Sequence, residues 1–162
     1  MFRRSAQLAA IAAAVSTVSV PLGAAAPVAM PLPLRGVWFP AGATFKADCA
    51  AYLVARPKSK SGDIYEKLVG AVLISPNQIH DVGEYGEGNF YRPVEVEALG
   101  RAKWQVKTAL TLDVGPSQDE PGVPATLTMS LKGKTLEIGE INAVDQNIVR
   151  QTLKKCSAAL PR

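Results

Sequence analysis

The residues best suited to metal chemistry are His80, Asp81 and Glu84, which stand close together in the chain. Imidazole and carboxylate groups are common ligands of zinc and calcium. Successive side chains of a strand point to opposite faces, so in a strand His80 and Glu84 would share one face while Asp81 would point to the other. We interpret the group as a solvated strand edge and predict no metal site.

The sequence contains no convincing catalytic set. A serine nucleophile needs a base and an orienting group, but the chain has a single His and no G-x-S-x-G sequence. An acid pair for glycoside hydrolysis would have to come from Glu84, Glu87, Glu95 and Glu97. Of these, Glu95 and Glu97 fit better on the outer face of a hairpin. We therefore predict no catalytic residues, no cofactor and no enzymatic activity.

Two glycine-containing stretches resemble phosphate-binding loops but do not meet their requirements. "LKGKT" lacks the glycine that a phosphate loop needs five residues before Gly133, because position 128 is Thr. "GEYGEG" has the wrong glycine spacing for a dinucleotide fingerprint, and no predicted helix follows it. Neither stretch predicts nucleotide binding.

Aromatic residues offer the best candidate for a ligand contact. Tyr85, Phe90 and Tyr91 are concentrated in one short segment beside several glycines. We predict that these three side chains form the mobile rim of a binding site; the alternative is plain core packing.

The first 25 residues have the order of a secretory signal peptide. Arg3 and Arg4 precede an uncharged apolar run, Ala6 to Val20, and small residues stand before a cleavage site ahead of Ala26. The run is shorter than the roughly 20 residues that span a membrane. We expect residues 1–25 to be removed, residues 26–33 to form a disordered leader, and residues 34–162 to form one exported domain without stable membrane insertion.

The net charge does not indicate a nucleic-acid partner. The whole chain carries +4, and loss of Arg3 and Arg4 with the signal lowers this value to +2. This small excess of positive charge predicts neither a basic binding face nor nucleic-acid recognition.

The two cysteines, Cys49 and Cys156, lie near opposite ends of the predicted domain. Exported proteins fold in an oxidising space, in which an even cysteine count indicates disulfide pairing. A reactive thiol is the alternative, but the single His provides no sequence-local partner for one. We predict a Cys49–Cys156 disulfide.

Two hairpins can be predicted from alternating side chains. In the first, "VEVEA" and "KWQVKTALTLDV" flank Gly100-Arg101-Ala102, and the register that matches apolar with apolar residues also sets Glu95 opposite Lys107. In the second, Gly133-Lys134 suits a type II′ turn and sets Leu131 opposite Leu136. Both Trp38 and Trp104 are expected to be buried.

The rest of the chain adds further short strands. Ala47 to Val54 fits a helix and a strand equally well, and the final "NIVRQTLKKC" favours a strand over a helix because it contains several β-branched residues. With no long amphipathic helix, the pattern predicts an all-β fold: an antiparallel meander of six to eight strands that closes into a small up-and-down barrel with one disulfide.

Gly36-Val37-Trp38, followed by this series of strands, resembles the G-x-W motif of lipocalins and related calycin barrels. The resemblance implies that Trp38 closes one end of the barrel beneath a basic residue from near the last strand, for which Arg150 and Lys154 are candidates. Small periplasmic inhibitors of secreted metalloproteases look similar, with a short barrel, an early G-x-W and a disulfide. The chain lacks the lipocalin T-D-Y motif, and its short domain argues against a deep ligand cavity.

The sequence thus predicts a periplasmic or secreted binding module for a small apolar ligand. The alternative is a barrel that targets another protein, either a periplasmic inhibitor or an envelope interaction protein. A hollow interior would favour the ligand, whereas a packed interior with an exposed apolar or aromatic patch would favour the protein partner.

Overall fold

The computed structural model describes residues 28–58, 63–112, 122–141 and 148–161. The predicted signal peptide, residues 1–25, lies outside these described residues. The predicted leader does so only in part, and its described portion is ordered. Met30 and Leu34 are fully buried, and the amide of Met30 donates a hydrogen bond of 2.7 Å to the carbonyl of Pro76. Met30 thus attaches the described part of the leader to the barrel, and its side chain joins the interior cluster.

Eight antiparallel strands form a closed up-and-down barrel in which each strand pairs with the next and the last pairs with the first. This architecture confirms the predicted fold class. The strands are β1 (Gly36–Pro40), β2 (Val72–Ile74), β3 (Ile79–Val82), β4 (Gly88–Gly100), β5 (Lys103–Leu112), β6 (Val123–Lys132), β7 (Thr135–Ile141) and β8 (Ile148–Ser157). The described residues between β1 and β2 include one α-helix, α1 (Phe45–Ala55).

The β4–β5 hairpin has the predicted register. Val96 lies opposite Val106, and Glu95 lies opposite Lys107. The Lys107 Nζ is 2.8 Å from the Glu95 carboxylate, but both side chains are exposed, so the ion pair marks the register more than it stabilises the fold.

The β6–β7 hairpin also has the predicted register, with Leu131 opposite Leu136. Gly133 has φ 60° and Lys134 has no positive φ, as a type II′ turn requires. The turn residue and the leucine pair thus specify the same alignment, which places both leucines in the interior.

Two apolar layers stabilise the barrel. The first fills its interior and includes Trp38, Val106, Leu127, Leu136 and Leu153. The second lies outside the barrel, between α1 and the strands near the β1–β8 pairing that closes the barrel, which we call the seam. It includes Val37, Phe39, Tyr52, Leu68 and Leu73. Val37, Trp38 and Phe39 alternate between the two layers, and all three are buried because the sheet is covered on both faces here.

The segment Ala47 to Val54, whose sequence fits a helix and a strand equally well, forms part of helix α1. Asp48 lies in its first turn, where its negative charge interacts favourably with the positive end of the helix dipole. Tyr52 is buried against the outer surface, with its ring centroid 6.3 Å from that of Phe39. The predicted disulfide is present and joins Cys49 of α1 to Cys156 of β8. The helix is thus covalently fixed beside the seam.

Candidate functional site

One end of the barrel is closed by Trp38. This is the end at which β1 begins and β8 ends, and we call it the closed end. The Trp38 Nε1 donates a hydrogen bond of 2.7 Å to the carbonyl of Leu34, and the ring is completely buried. The Lys155 Nζ lies 4.9 Å from the ring centroid and donates to the carbonyl of Pro33 at 3.0 Å. Burial lowers the pKa of Lys155.

The basic residue over Trp38 is therefore Lys155, and not either of the two that the family resemblance suggested. Arg150 is exposed and lies opposite Gly139, and the Lys154 Nζ lies 5.6 Å from the ring centroid of Phe45, outside the barrel. A register shift in the β1–β8 pairing at Val37 and Trp38 sets Trp38 opposite Lys155. Such an irregularity between the first and last strands cannot be seen in either strand alone.

Gly36, the first residue of the motif, has a steric role at the same place. Its φ is 134°, a conformation that side-chain-bearing residues rarely adopt, and a Cβ here would collide with the carbonyl oxygen of Ser157. The motif thus combines a close approach of two backbones with a buried ring two residues later.

Trp104 is only partly buried, contrary to the prediction, although it packs against the interior cluster. It is the second residue of β5 and lies next to the β4–β5 turn, where fewer neighbours surround it. Its inward direction was predictable from alternation, but its depth in the barrel was not.

The opposite end, at which β3 ends and β4 begins, contains a cavity of about 170 Å³. We call it the polar cavity. Five polar residues line it: Asp81, Asn89, Tyr91, Glu140 and Gln151. Its apolar wall consists of Val72, Ile79, Leu127 and Ile138.

Strand pairing explains why these side chains converge. Directly opposed residues of neighbouring strands lie on the same face of the sheet. Asp81 lies opposite Val72 and Asn89, and Glu140 lies opposite Leu127. Since Val72 and Leu127 belong to the interior cluster, their polar partners also face inward.

Polar neighbours flank both carboxylates. The Tyr91 hydroxyl donates to the Glu140 carboxylate at 3.0 Å, and Asn89 is close enough to Tyr91 to lower its pKa. Gln151 is likewise close enough to the Asp81 carboxylate to lower its pKa. The cavity therefore contains two carboxylates, each beside a neutral polar neighbour.

Burial disfavours negative charge on Asp81 and on Tyr91. It is the largest cause that raises the pKa of Asp81; the neighbouring Gln151 opposes it, and the charge of Glu140 adds a smaller upward effect. The pKa of Tyr91 is raised first by burial and then by the adjacent Glu140, so its hydroxyl stays protonated at neutral pH.

The three aromatic residues predicted to form one rim are not brought together. Tyr91 faces the polar cavity, whereas Phe90 points outward and stacks on His80 with ring centroids 3.8 Å apart. Tyr85 lies in the turn before β4 and is 89% exposed. Consecutive strand residues alternate faces, so Phe90 and Tyr91 cannot share a pocket.

His80 and Asp81 lie on opposite faces of β3, as alternation predicts, but the expected solvated edge is wrong. His80 is buried between Phe90 and Tyr65, and its Nε2 is 3.1 Å from the carbonyl oxygen of Glu87. Burial is the largest influence on its pKa, which it lowers; the Glu87 carbonyl and Asp81 oppose this. Glu84 lies beyond the end of β3 and is exposed. Within the described ranges, no three His, Cys, Asp or Glu side chains are grouped as metal ligands.

Sequence reasoning missed three of the cavity's polar residues: Asn89, Glu140 and Gln151. A signal for Glu140 was present, because it continues the alternating series Leu136, Ile138 that faces the interior. An acid on the apolar face of a strand is the exception to look for, since burial of an unpaired carboxylate is costly.

A second concavity, of about 500 Å³, is lined by residues from strands β4 to β8. Most of its residues occupy outward positions, including Lys103, Ser130, Glu137, Arg150 and Thr152. Its single described ion pair joins Lys132 to Glu137 at 3.7 Å between exposed side chains. Four of its lining residues, Trp104, Met129, Ile138 and Gln151, occupy inward positions, and Ile138 and Gln151 also line the polar cavity.

Comparisons of the chain with protein-family models, curated proteins and solved structures find no match. Among the described residues, no helix is both long enough and apolar enough to cross a membrane.

Proposed function

We propose that this chain is an exported, non-enzymatic binding protein that takes a small ligand into the polar cavity of its barrel. Two features support export: the predicted signal peptide at residues 1–25, and the Cys49–Cys156 disulfide, which is typical of proteins that fold in an oxidising compartment, such as the periplasm or the extracellular space.

The observation that carries the binding proposal is the division of the interior into two halves. The half around Trp38 is filled by apolar side chains, whereas the other half leaves a cavity. Cavities of about 150 Å³ accept a molecule the size of benzene, so 170 Å³ suits a ligand of a few heavy atoms.

The lining of the polar cavity favours a different ligand from the small apolar one that the sequence predicted. Five of its nine lining residues are polar, which disfavours a purely apolar ligand, because that ligand would leave carboxylates and amides without partners. The lining that the described residues provide contains no Ser, Cys, His or Lys, which are common nucleophiles. Binding without covalent chemistry fits this lining best.

Filling the cavity should abolish binding of small molecules. We expect a Leu127→Phe variant, which extends a phenyl ring from the apolar wall, to lose fragments that the unmodified protein binds in ligand-observed NMR. Val94→Phe adds the same ring at an exposed position and should bind normally. Ile138→Phe serves as a second variant if overpacking at Leu127 prevents folding. Fragments that bind all variants equally would contradict the proposed site.

A second candidate function is recognition of another protein, favoured by one observation. Tyr85 is 89% exposed and is the one described non-glycine residue with a positive φ, 55°. Strained, exposed backbone of this kind is concentrated at functional sites. Leu112 and Val123 are also exposed, and strand order places them at the same end of the barrel.

Site-specific photo-crosslinking tests this second function. With a crosslinking residue in place of Tyr85, we expect one discrete adduct in the exported fraction of the producing cell. The same residue in place of Lys134, in the turn at the closed end, is the control and should give none. Absence of an adduct at Tyr85, or an identical adduct at Lys134, would count against a protein partner at this end.

A further inference from the structure

We propose that the ligand of the polar cavity is a small organic cation, a primary ammonium on a short hydrocarbon stem, held between Asp81 and Glu140. This inference rests on the proposed function and specifies its ligand class. It is carried by a cavity whose lining combines two carboxylates with aliphatic side chains.

Among the described residues, the charges that face the cavity are negative only. Asp81 and Glu140 both line it, and no Lys, Arg or His of the described ranges does. The two ion pairs of the described residues involve other carboxylates, and Lys155 is engaged with Trp38 and Pro33 at the closed end. His80 is next to Asp81 in the chain but points to the outer face. A cation in the cavity would supply the missing counter-charge.

The carboxylates of Asp81 and Glu140 retain acceptor sites for a ligand. An ionised carboxylate offers about four acceptor sites on its two oxygens. Glu140 accepts a hydrogen bond from Tyr91 at one oxygen, and Asp81 lies beside Gln151, so the described contacts leave acceptor sites on both carboxylates. An ammonium group has three donors and no acceptor, which is the complementary set. Charge-assisted bonds of this type are about twice as strong as neutral ones.

The apolar wall provides for the rest of the ligand. Val72, Leu127 and Ile138 present aliphatic carbon to the same cavity, with Val72 directly opposite Asp81 and Leu127 directly opposite Glu140. A hydrated metal ion would leave this wall against water, whereas an alkyl stem would bury it. The benzene-sized volume admits a stem of about four carbons.

Calorimetric titration at pH 7.5 with n-butylammonium, and with butan-1-ol as its neutral analogue, tests the inference. We expect binding of the ammonium and at least tenfold weaker binding of the alcohol. Asp81→Asn and Glu140→Gln preserve shape but remove one charge each, and each should weaken ammonium binding by about tenfold or more. Glu95→Gln removes an exposed carboxylate on the outer face and should have no effect.

The other outcomes separate this inference from the proposed function. Equal binding of alcohol and ammonium, both lost in Leu127→Phe, would overturn the cation but keep the small-ligand cavity. Displacement of the ammonium by millimolar Ca²⁺ or Mg²⁺, lost in both charge variants, would replace the organic cation with a metal ion. If neither charge variant weakens ammonium binding, the inference is overturned. If no molecule binds in a way that Leu127→Phe abolishes, both proposals are overturned.

Discussion

Replacement of Trp38 by Ala is expected to lower the free energy of unfolding by about 3–5 kcal/mol, the usual range for a buried aromatic residue. The ring is completely buried and contacts both the segment before β1 and the last strand. Its loss leaves a cavity, leaves the Leu34 carbonyl without its indole donor, and removes the ring beneath Lys155. Small domains have a total stability of about 5–15 kcal/mol, so this loss is a large part of it.

Urea denaturation followed by circular dichroism measures this effect without relying on tryptophan fluorescence. Trp38→Phe keeps most of the ring and should cost less than Trp38→Ala, with a contribution of about 1–3 kcal/mol from the unpaired Leu34 carbonyl. Trp104→Ala is the matched comparison, because Trp104 also faces inward but is only partly buried. An equal loss at Trp104 would mean that Trp38 has no special role in closing the barrel.

Loss of the disulfide is expected to destabilise the protein by about 2–5 kcal/mol. The bond joins residues 107 apart, and in the chain-entropy model a loop of that length restricts the unfolded chain by roughly 4–5 kcal/mol. In the folded protein it attaches α1 to β8 beside the β1–β8 pairing that closes the barrel. Without it, the seam and the helix depend on packing alone.

Three variants and a control measure this contribution by denaturant titration. Cys49→Ser, Cys156→Ser and the double variant should show the same loss, because each removes the same bond. Ala50→Ser introduces a serine at an exposed position of α1 and should change stability by only a few tenths of a kcal/mol. Additive losses in the double variant would indicate that the two residues pack independently, and a loss below about 1 kcal/mol would mean that the seam is held elsewhere.

The sequence by itself determined the strands, the hairpins and the disulfide. Alternation along the β4–β5 and β6–β7 hairpins, with glycine at the turns, requires only residues that are close in the chain, and their predicted registers are observed. The same local information did not decide between helix and strand for α1, where packing of Tyr52 against the outer surface favours the helix.

The tertiary structure alone decided which side chains meet across the barrel. Asp81 on β3 and Glu140 on β7 share a cavity, and Lys155 rather than Arg150 covers Trp38. Both outcomes depend on the stagger between strands that do not form a common hairpin, and on the irregular pairing of the first strand with the last. Barrel closure sets that stagger once for all eight strands together, so no single stretch of sequence encodes it.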